Sequence, residues 1–148
     1  MSSMTNGFEN VLALLLFNNT GIANIGDAAG LPGSVGAGST QLALSTAALT
    51  DADTLLTATE VAYTGYARPT QARSAAGWTV TGDTASNAAL IQFGEMTALG
   101  PDTAVHLGLG FIATGDVLRL HQDLTADLVI NNGVNPQFAI GALDWVFA

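Results

Sequence analysis

The stretch Val105-His106-Leu107-Gly108-Leu109-Gly110-Phe111 decides the fold. Its large apolar side chains recur at every second residue and alternate with His106, Gly108 and Gly110. That is the two-residue period of a half-buried strand and has no helical counterpart. The same period runs through most of the chain on either side of it.

Toward the N-terminus, Gln41-Leu42-Ala43-Leu44-Ser45 reads as a strand. Glu60 to Arg73 alternates with Val61, Tyr63 and Ala67 on one face, and Pro69 marks an edge or bulge. Trp78-Thr79-Val80-Thr81, then Gly82-Asp83, then Thr84 to Phe93 predicts a hairpin around a tight turn. Residues 49–56 predict a short helical turn capped by Thr50 or Asp51. Toward the C-terminus, Thr114-Gly115-Asp116 predicts a turn into a strand Val117 to His121. A strand Leu124 to Ile130, a turn at Asn131-Asn132-Gly133 and a long strand Phe138 to Phe147 follow. About eight short strands separated by turn signals predict a mainly β, antiparallel sandwich, with a jelly roll the best fit.

One segment has a different period. Phe8, Val11, Leu12, Leu15 and Leu16 fall at helical spacing, and Asn6 with Glu9 reads as a capping box, predicting a short helix over residues 6–18. Leu14 and Phe17 lie off that stripe, so the helix is apolar on more than one side and needs cover from its own domain or a neighbour. Residues 19–39 are rich in Gly and Ser and predict a long connection, either a surface loop or an arm over a neighbour. The expected organisation is a helix and Gly-rich arm over 1–39 and a β-sandwich over 40–148, one structural domain overall.

Composition limits function. The chain has 148 residues, 49% hydrophobic and 10% charged, against a usual charged share of about 25%. Twelve acidic residues face three basic ones, Arg68, Arg73 and Arg119, for a net charge of −9. Nucleic acids and anionic membrane surfaces are recognised through Lys and Arg, so neither is an expected partner. The apolar run Val11 to Phe17 is much shorter than the ~20 residues that span a bilayer. Without cysteine, a disulfide framework is excluded.

A search for chemistry returns little. His106 and His121 have no metal-ligand spacing and read as surface or hydrogen-bonded structural residues. No nucleophile elbow and no phosphate loop occur. Asp51-Ala52-Asp53 reads as helix capping in preference to a cation loop, and Asp123 with Asp127 as a chance pairing. No catalytic residue, metal or cofactor is expected. Tyr63, Tyr66 and Trp78 read mainly as core or interface residues, and secondarily as a glycan-stacking platform. Trp145 and Phe147 lie opposite Ile140 and Val146, so the last strand is expected to be covered on both faces, or on one by another subunit. The candidate partner interface is therefore Phe8, Leu12, Leu15, Phe17, Trp145 and Phe147.

Several segments together resemble small structural proteins of tailed bacteriophages: Asn6-Gly7-Phe8-Glu9-Asn10 with Phe17-Asn18-Asn19-Thr20, Glu60-Val61-Ala62-Tyr63-Thr64-Gly65-Tyr66-Ala67-Arg68, Gly77-Trp78-Thr79-Val80, Ser86-Asn87-Ala88-Ala89, and Pro136-Gln137-Phe138-Ala139-Ile140-Gly141-Ala142-Leu143. The resemblance covers nearly the whole chain and implies a virion protein without catalytic activity. It implies capsid cement on the capsid exterior, bound to the major capsid protein and to itself as a trimer or else a dimer. The alternative it leaves is a tail-associated or fibre module that binds a host glycan through Tyr63, Tyr66 or Trp78.

Overall fold

The computed structural model describes residues 4–54, 58–111 and 118–147. The expected turn at Thr114-Gly115-Asp116 and the Leu55-Leu56 end of the predicted helical turn lie outside them. Among the described residues there is one helix, α1 (Asn6–Asn18), and nine strands: β1 (Ser39–Ser45), β2 (Thr70–Ala72), β3 (Trp78–Thr81), β4 (Thr84–Asn87), β5 (Ile91–Gln92), β6 (Asp102–Phe111), β7 (Leu118–Ile130), β8 (Gln137–Phe138) and β9 (Asp144–Val146). The class is mainly antiparallel β with an N-terminal helix, as expected. The strands form sheets in the orders β2-β1-β6-β7, β3-β4-β9 and β5-β8, not the two four-stranded sheets of a jelly roll.

The chain divides into two compact units. The first comprises Met1–Ser39, Gln71–Leu90 and Phe138–Ala148. Here β3 and β4 form the predicted hairpin, closed by Gly82-Asp83 between Thr81 and Thr84, with Gly82 at φ +62°. β9 pairs with β4 in the register Thr84↔Val146, Ala85↔Trp145 and Ser86↔Asp144. The long strand expected from Phe138 to Phe147 is interrupted between β8 and β9. Buried Asn87 causes the break: its side chain donates to the carbonyls of Ala89 and Ala139 at 2.8 Å each and accepts from the Leu143 amide at 2.9 Å. Those bonds hold a turn through Gly141 where a continuous strand would have run.

α1 packs against β3 and β4. Its cap is Thr5, whose carbonyl accepts from the Phe8 and Glu9 amides, so the expected Asn6 capping box is not formed. Its C-terminus is stopped by Asn19 in the left-handed conformation (φ 56°), a common helix ending for Asn. Arg73 then takes up the last carbonyls. Its guanidinium donates to Leu16 O and Leu15 O at 2.6 Å each, to Ala37 O at 3.0 Å and to Asn19 Oδ1 at 3.1 Å. Asn19 also exchanges hydrogen bonds with the Ser34 backbone at 2.7 and 2.8 Å, and Ile22 bridges to Leu31. The connection after α1 is thus closed upon itself by polar bonds.

The second unit comprises Thr40–Thr70 and Ile91–Gln137. β1 and β6 pair in the register Leu42↔Leu109 and Leu44↔Leu107, and all four leucines are fully buried. The opposite face of β6 is closed too: His106, Gly108 and Gly110 are buried, so the strand expected to be half-buried is covered on both sides. β7 joins the two strands expected at Val117 to His121 and Leu124 to Ile130. The ladder with β6 slips between Ala104↔Leu128 and His106↔Asp123, which leaves residues 124–127 as an extra bulged segment.

Residues 60–69, expected as a strand, have no regular structure beyond single bridges at Glu60 and Thr64. Val61 and Tyr63 do point into the core, but Ala67 is exposed. The cause is a close backbone crossing at Gly65, which sits at φ +102°. A Cβ on Gly94 would lie 1.8 Å from the Gly65 carbonyl oxygen, and one on Gly65 would lie 2.1 Å from that of Glu95. Only glycine permits that approach.

Arg73 carries the first prediction. Arg73→Met removes several charge-assisted bonds and leaves carbonyls at a helix end without their donor, so it is expected to cost about 3 kcal/mol in urea unfolding. Arg73→Lys, which keeps the charge but not the fork of donors, is expected to recover only part of that loss.

Candidate interaction surfaces

The six residues read as a partner interface separate into two groups. Phe17 is fully buried, with its ring edge-on to Trp78 at 4.7 Å and to Phe147 at 6.1 Å. Trp145 is 4% exposed and Phe147 half-buried, on the inward side of β9. These three belong to the core of the first unit. On the other side of β9, Val146 is 63% exposed, and Ile140 in the preceding turn is 68% exposed. The last strand is therefore covered on one face only.

Phe8, Leu12 and Leu15 are placed differently. The buried residues of α1 are Glu9, Ala13 and Phe17, a stripe at every fourth position. At ~100° per residue, Phe8, Val11 and Leu15 lie roughly opposite that stripe and Leu12 flanks it. Phe8 is 39% exposed and the other three are half-buried. The helix thus turns its small and aromatic residues inward and leaves its aliphatic stripe facing away from β3 and β4. Sequence reading found the helix and the stripe but not this inversion. The available signal was the spacing of Ala13 and Phe17, since a small residue permits close approach beside an aromatic anchor.

In the second unit the aromatics are spent on architecture. Tyr66 Oη donates to Glu60 Oε2 at 2.6 Å and accepts from the Leu44 amide at 3.1 Å. Arg68 Nε donates to both Glu60 carboxylate oxygens at 3.0 Å, and Arg68 Nη2 completes the fork. Tyr63 Oη donates to Gly94 O at 2.9 Å, and Tyr66 stacks on Phe93 at 6.0 Å. Burial, followed by the Glu60 carboxylate, pushes the Tyr66 hydroxyl well above the ordinary phenol range. Burial, followed by the Asp102 charge, raises Tyr63 as well. A sugar-stacking platform needs open ring faces, yet Tyr63 and Trp78 are buried and Tyr66 is stacked and bonded. Tyr63 and Trp78 thus lie in the core, and the secondary reading of the three as a glycan platform finds no open ring face to support it.

The histidines come together, which their sequence spacing did not foretell. His106 and His121 lie 6.2 Å apart; His106 Nε2 is 2.8 Å from Asp123 Oδ1, and His121 Nε2 is 3.3 Å from Asp51 Oδ1. Register places Ser45, His106 and Asp123 in one row across β1, β6 and β7. The residue types are those of a hydrolytic triad, but the geometry is not. Ser45 is 1% exposed, and its hydroxyl is held by Ala47 O at 2.8 Å and Thr59 O at 3.0 Å, so its proton points to main-chain carbonyls. A nucleophile of this kind needs its hydroxyl on the base and open to substrate. Among the described residues no group of three or more His, Asp or Glu could hold a metal ion.

Thr50 caps the turn at 50–53. Its amide and hydroxyl both donate to Asp53 Oδ2 at 2.8 Å, and the hydroxyl bond is the main cause holding the Asp53 carboxyl below its usual range. The capping role read for this segment is what the carboxylate performs.

Among the described residues, one buried side-chain polar atom has no partner, the indole Nε1 of Trp145. Removing a donor that makes no bond costs only packing, so Trp145→Phe is expected to stay within about 1 kcal/mol of the parent in urea unfolding.

The raised tyrosines give a pH prediction. Their neutral forms are favoured in the folded state, so stability is full below the unfolded phenol value near 10 and falls as pH rises above it. The double variant Tyr63→Phe and Tyr66→Phe is expected to flatten that alkaline decline in urea midpoints measured across the range.

Comparison with known proteins places this geometry. No curated protein matches the chain. A family described as podophage GP4 fiber I protein gp80 matches residues 36–146, leaving α1 outside the match. Since the match spans well over half of the sequence, the chain belongs to the podophage GP4 fiber I protein gp80 family.

Proposed function

We propose that this chain is a structural subunit of a podophage fibre, acting by holding other virion proteins in place. Membership in a fibre family over 36–146 carries the reading. It favours a fibre component over the expected capsid cement, and it offers nothing for the capsid exterior or for the major capsid protein as partner.

The spending of polar groups agrees with a passive role. Within the matched span, Arg73, Glu60, Arg68, Tyr66 and Asn87 are tied into bonds that shape their own units. Rigid loops and satisfied buried groups suit a part that must keep its shape under load. The virion fibre is where such a part serves without chemistry of its own.

Gold-labelled antibody against this chain, applied to intact particles in electron micrographs, tests the reading. Label confined to fibres is the expected result. Even decoration of the head would overturn it and restore the cement role.

A further inference from the structure

We propose that the Asn6-Gly7 peptide in the first turn of α1 is a site of spontaneous covalent modification, where the Asn6 side chain becomes a carboxylate by ring closure onto the Gly7 nitrogen. Asn-Gly occurs twice in the chain, at Asn6-Gly7 and at Asn132-Gly133. All four residues are exposed, and a Cβ built on either glycine would meet nothing within 4 Å, so space favours neither site. Main-chain bonding separates them.

The Gly133 amide donates to Met96 O at 2.8 Å. The turn around it is closed by the Val134 amide donating to Asn131 O at 2.9 Å and the Met96 amide donating to Val134 O at 3.0 Å. A nitrogen whose proton is held on a fixed acceptor is kept from attacking its neighbour's side chain. The Gly7 amide has no such acceptor among the described residues: the first N–H groups of a helix lack partners within it, and Thr5 O takes the Phe8 and Glu9 amides instead. Asn6 makes no side-chain bond among the described residues either, the expected capping box being absent. Helix ends fray, and fraying of this turn lets the Asn6 side chain reach the ring-closing geometry.

The reaction balances with water as its only co-reactant. The Gly7 nitrogen bonds to Asn6 Cγ, the Cγ–Nδ2 bond breaks, and ammonia leaves with the Gly7 amide proton, closing a cyclic imide. Water then opens the ring. Attack at Cγ restores the main chain with an aspartyl side chain, whereas attack at the main-chain carbonyl reroutes the chain through Cγ as an isoaspartyl link with an extra methylene. Either product adds a negative charge to a chain of net charge −9. The aspartyl form suits the positive end of the helix dipole, while the isoaspartyl form upsets the spacing of the first turn. The inference rests on main-chain bonding and is independent of the fibre reading.

Peptide mapping by mass spectrometry tests it, on the full chain held in warm, mildly alkaline buffer with and without guanidinium chloride. In the folded chain Asn6 is expected to convert roughly tenfold faster than Asn132, because a fraying turn opens at almost no cost and a bonded one does not. In denaturant the two rates are expected to converge, since the folded bonding that separates them is gone. Gly7→Ala, at an exposed position with room for its Cβ, is expected to slow conversion at Asn6 several-fold by hindering the attacking nitrogen, with far-UV circular dichroism unchanged. An Asn6 that stays intact in the folded chain overturns the proposal, as does conversion of Asn132 at an equal rate. A preference for Asn6 that persists undiminished in denaturant, or a Gly7→Ala chain that converts at the parent rate, overturns it as well.

Discussion

The first unit depends on what Arg73 does with its charge. Its guanidinium donates to two carbonyls in the last turn of α1, to Ala37 O and to Asn19 Oδ1. Carbonyls at a helix C-terminus have no partners within the helix and carry the negative end of its dipole, so a cation there satisfies both needs together. Burial lowers the Arg73 pKa from its ordinary value, though a guanidinium stays charged through that shift. With three arginines and no lysine in the chain, few residues could replace it. Arg73 also lies inside the family-matched span while α1 lies outside it, so the clamp reaches from the shared part of the chain to a segment beyond it.

What the sequence made legible follows from how local each cause is. β1, β6 and the β3–β4 hairpin were readable because alternation and Gly82-Asp83 are short-range signals, and tertiary packing agreed with them. Residues 60–69 differ from the expected strand because alternation at Val61 and Tyr63 is genuine, while the crossing of Gly65 by residues 94–95 comes from distant chain and the Glu60–Arg68 pair closes the segment on itself. The C-terminal strand was misread for the same reason: the turn at Gly141 is held by Asn87, more than fifty residues away in sequence. In the helix, hydrophobicity identified the element but not which of its apolar residues face β3 and β4. The pocket formed with Trp78 and Phe147 takes an aromatic ring, and beside it Ala13 lets the helix approach more closely than a leucine would.

The candidate site was legible only by class. Phe8, Leu12 and Leu15 were named from spacing, but so were Phe17, Trp145 and Phe147, which fill the core. Spacing cannot separate an anchor from a docking residue, because both are large and apolar. The pairing of His106 with Asp123 was equally hidden, since it needs the register between β6 and β7 with its bulge. That row also shows how residue types can mislead: Ser, His and Asp stand side by side, yet the serine proton is spent on carbonyl oxygens.

An apolar, lysine-free protein has to control where it associates. Open sheet edges are the usual hazard, because their unpaired main-chain groups template pairing with any other strand. Here the edge strands β3 and β9 have only four and three residues. The long edge strand β7 is broken by its bulge and carries Asp123 and Asp127, both exposed. Short length, a bulge and charge each discourage edge-to-edge pairing. Val146 and Ile140 are exposed around β9, whereas on α1 Phe8 is exposed and Val11, Leu12 and Leu15 are half-buried. Edge-to-edge pairing is thereby discouraged along the sheets.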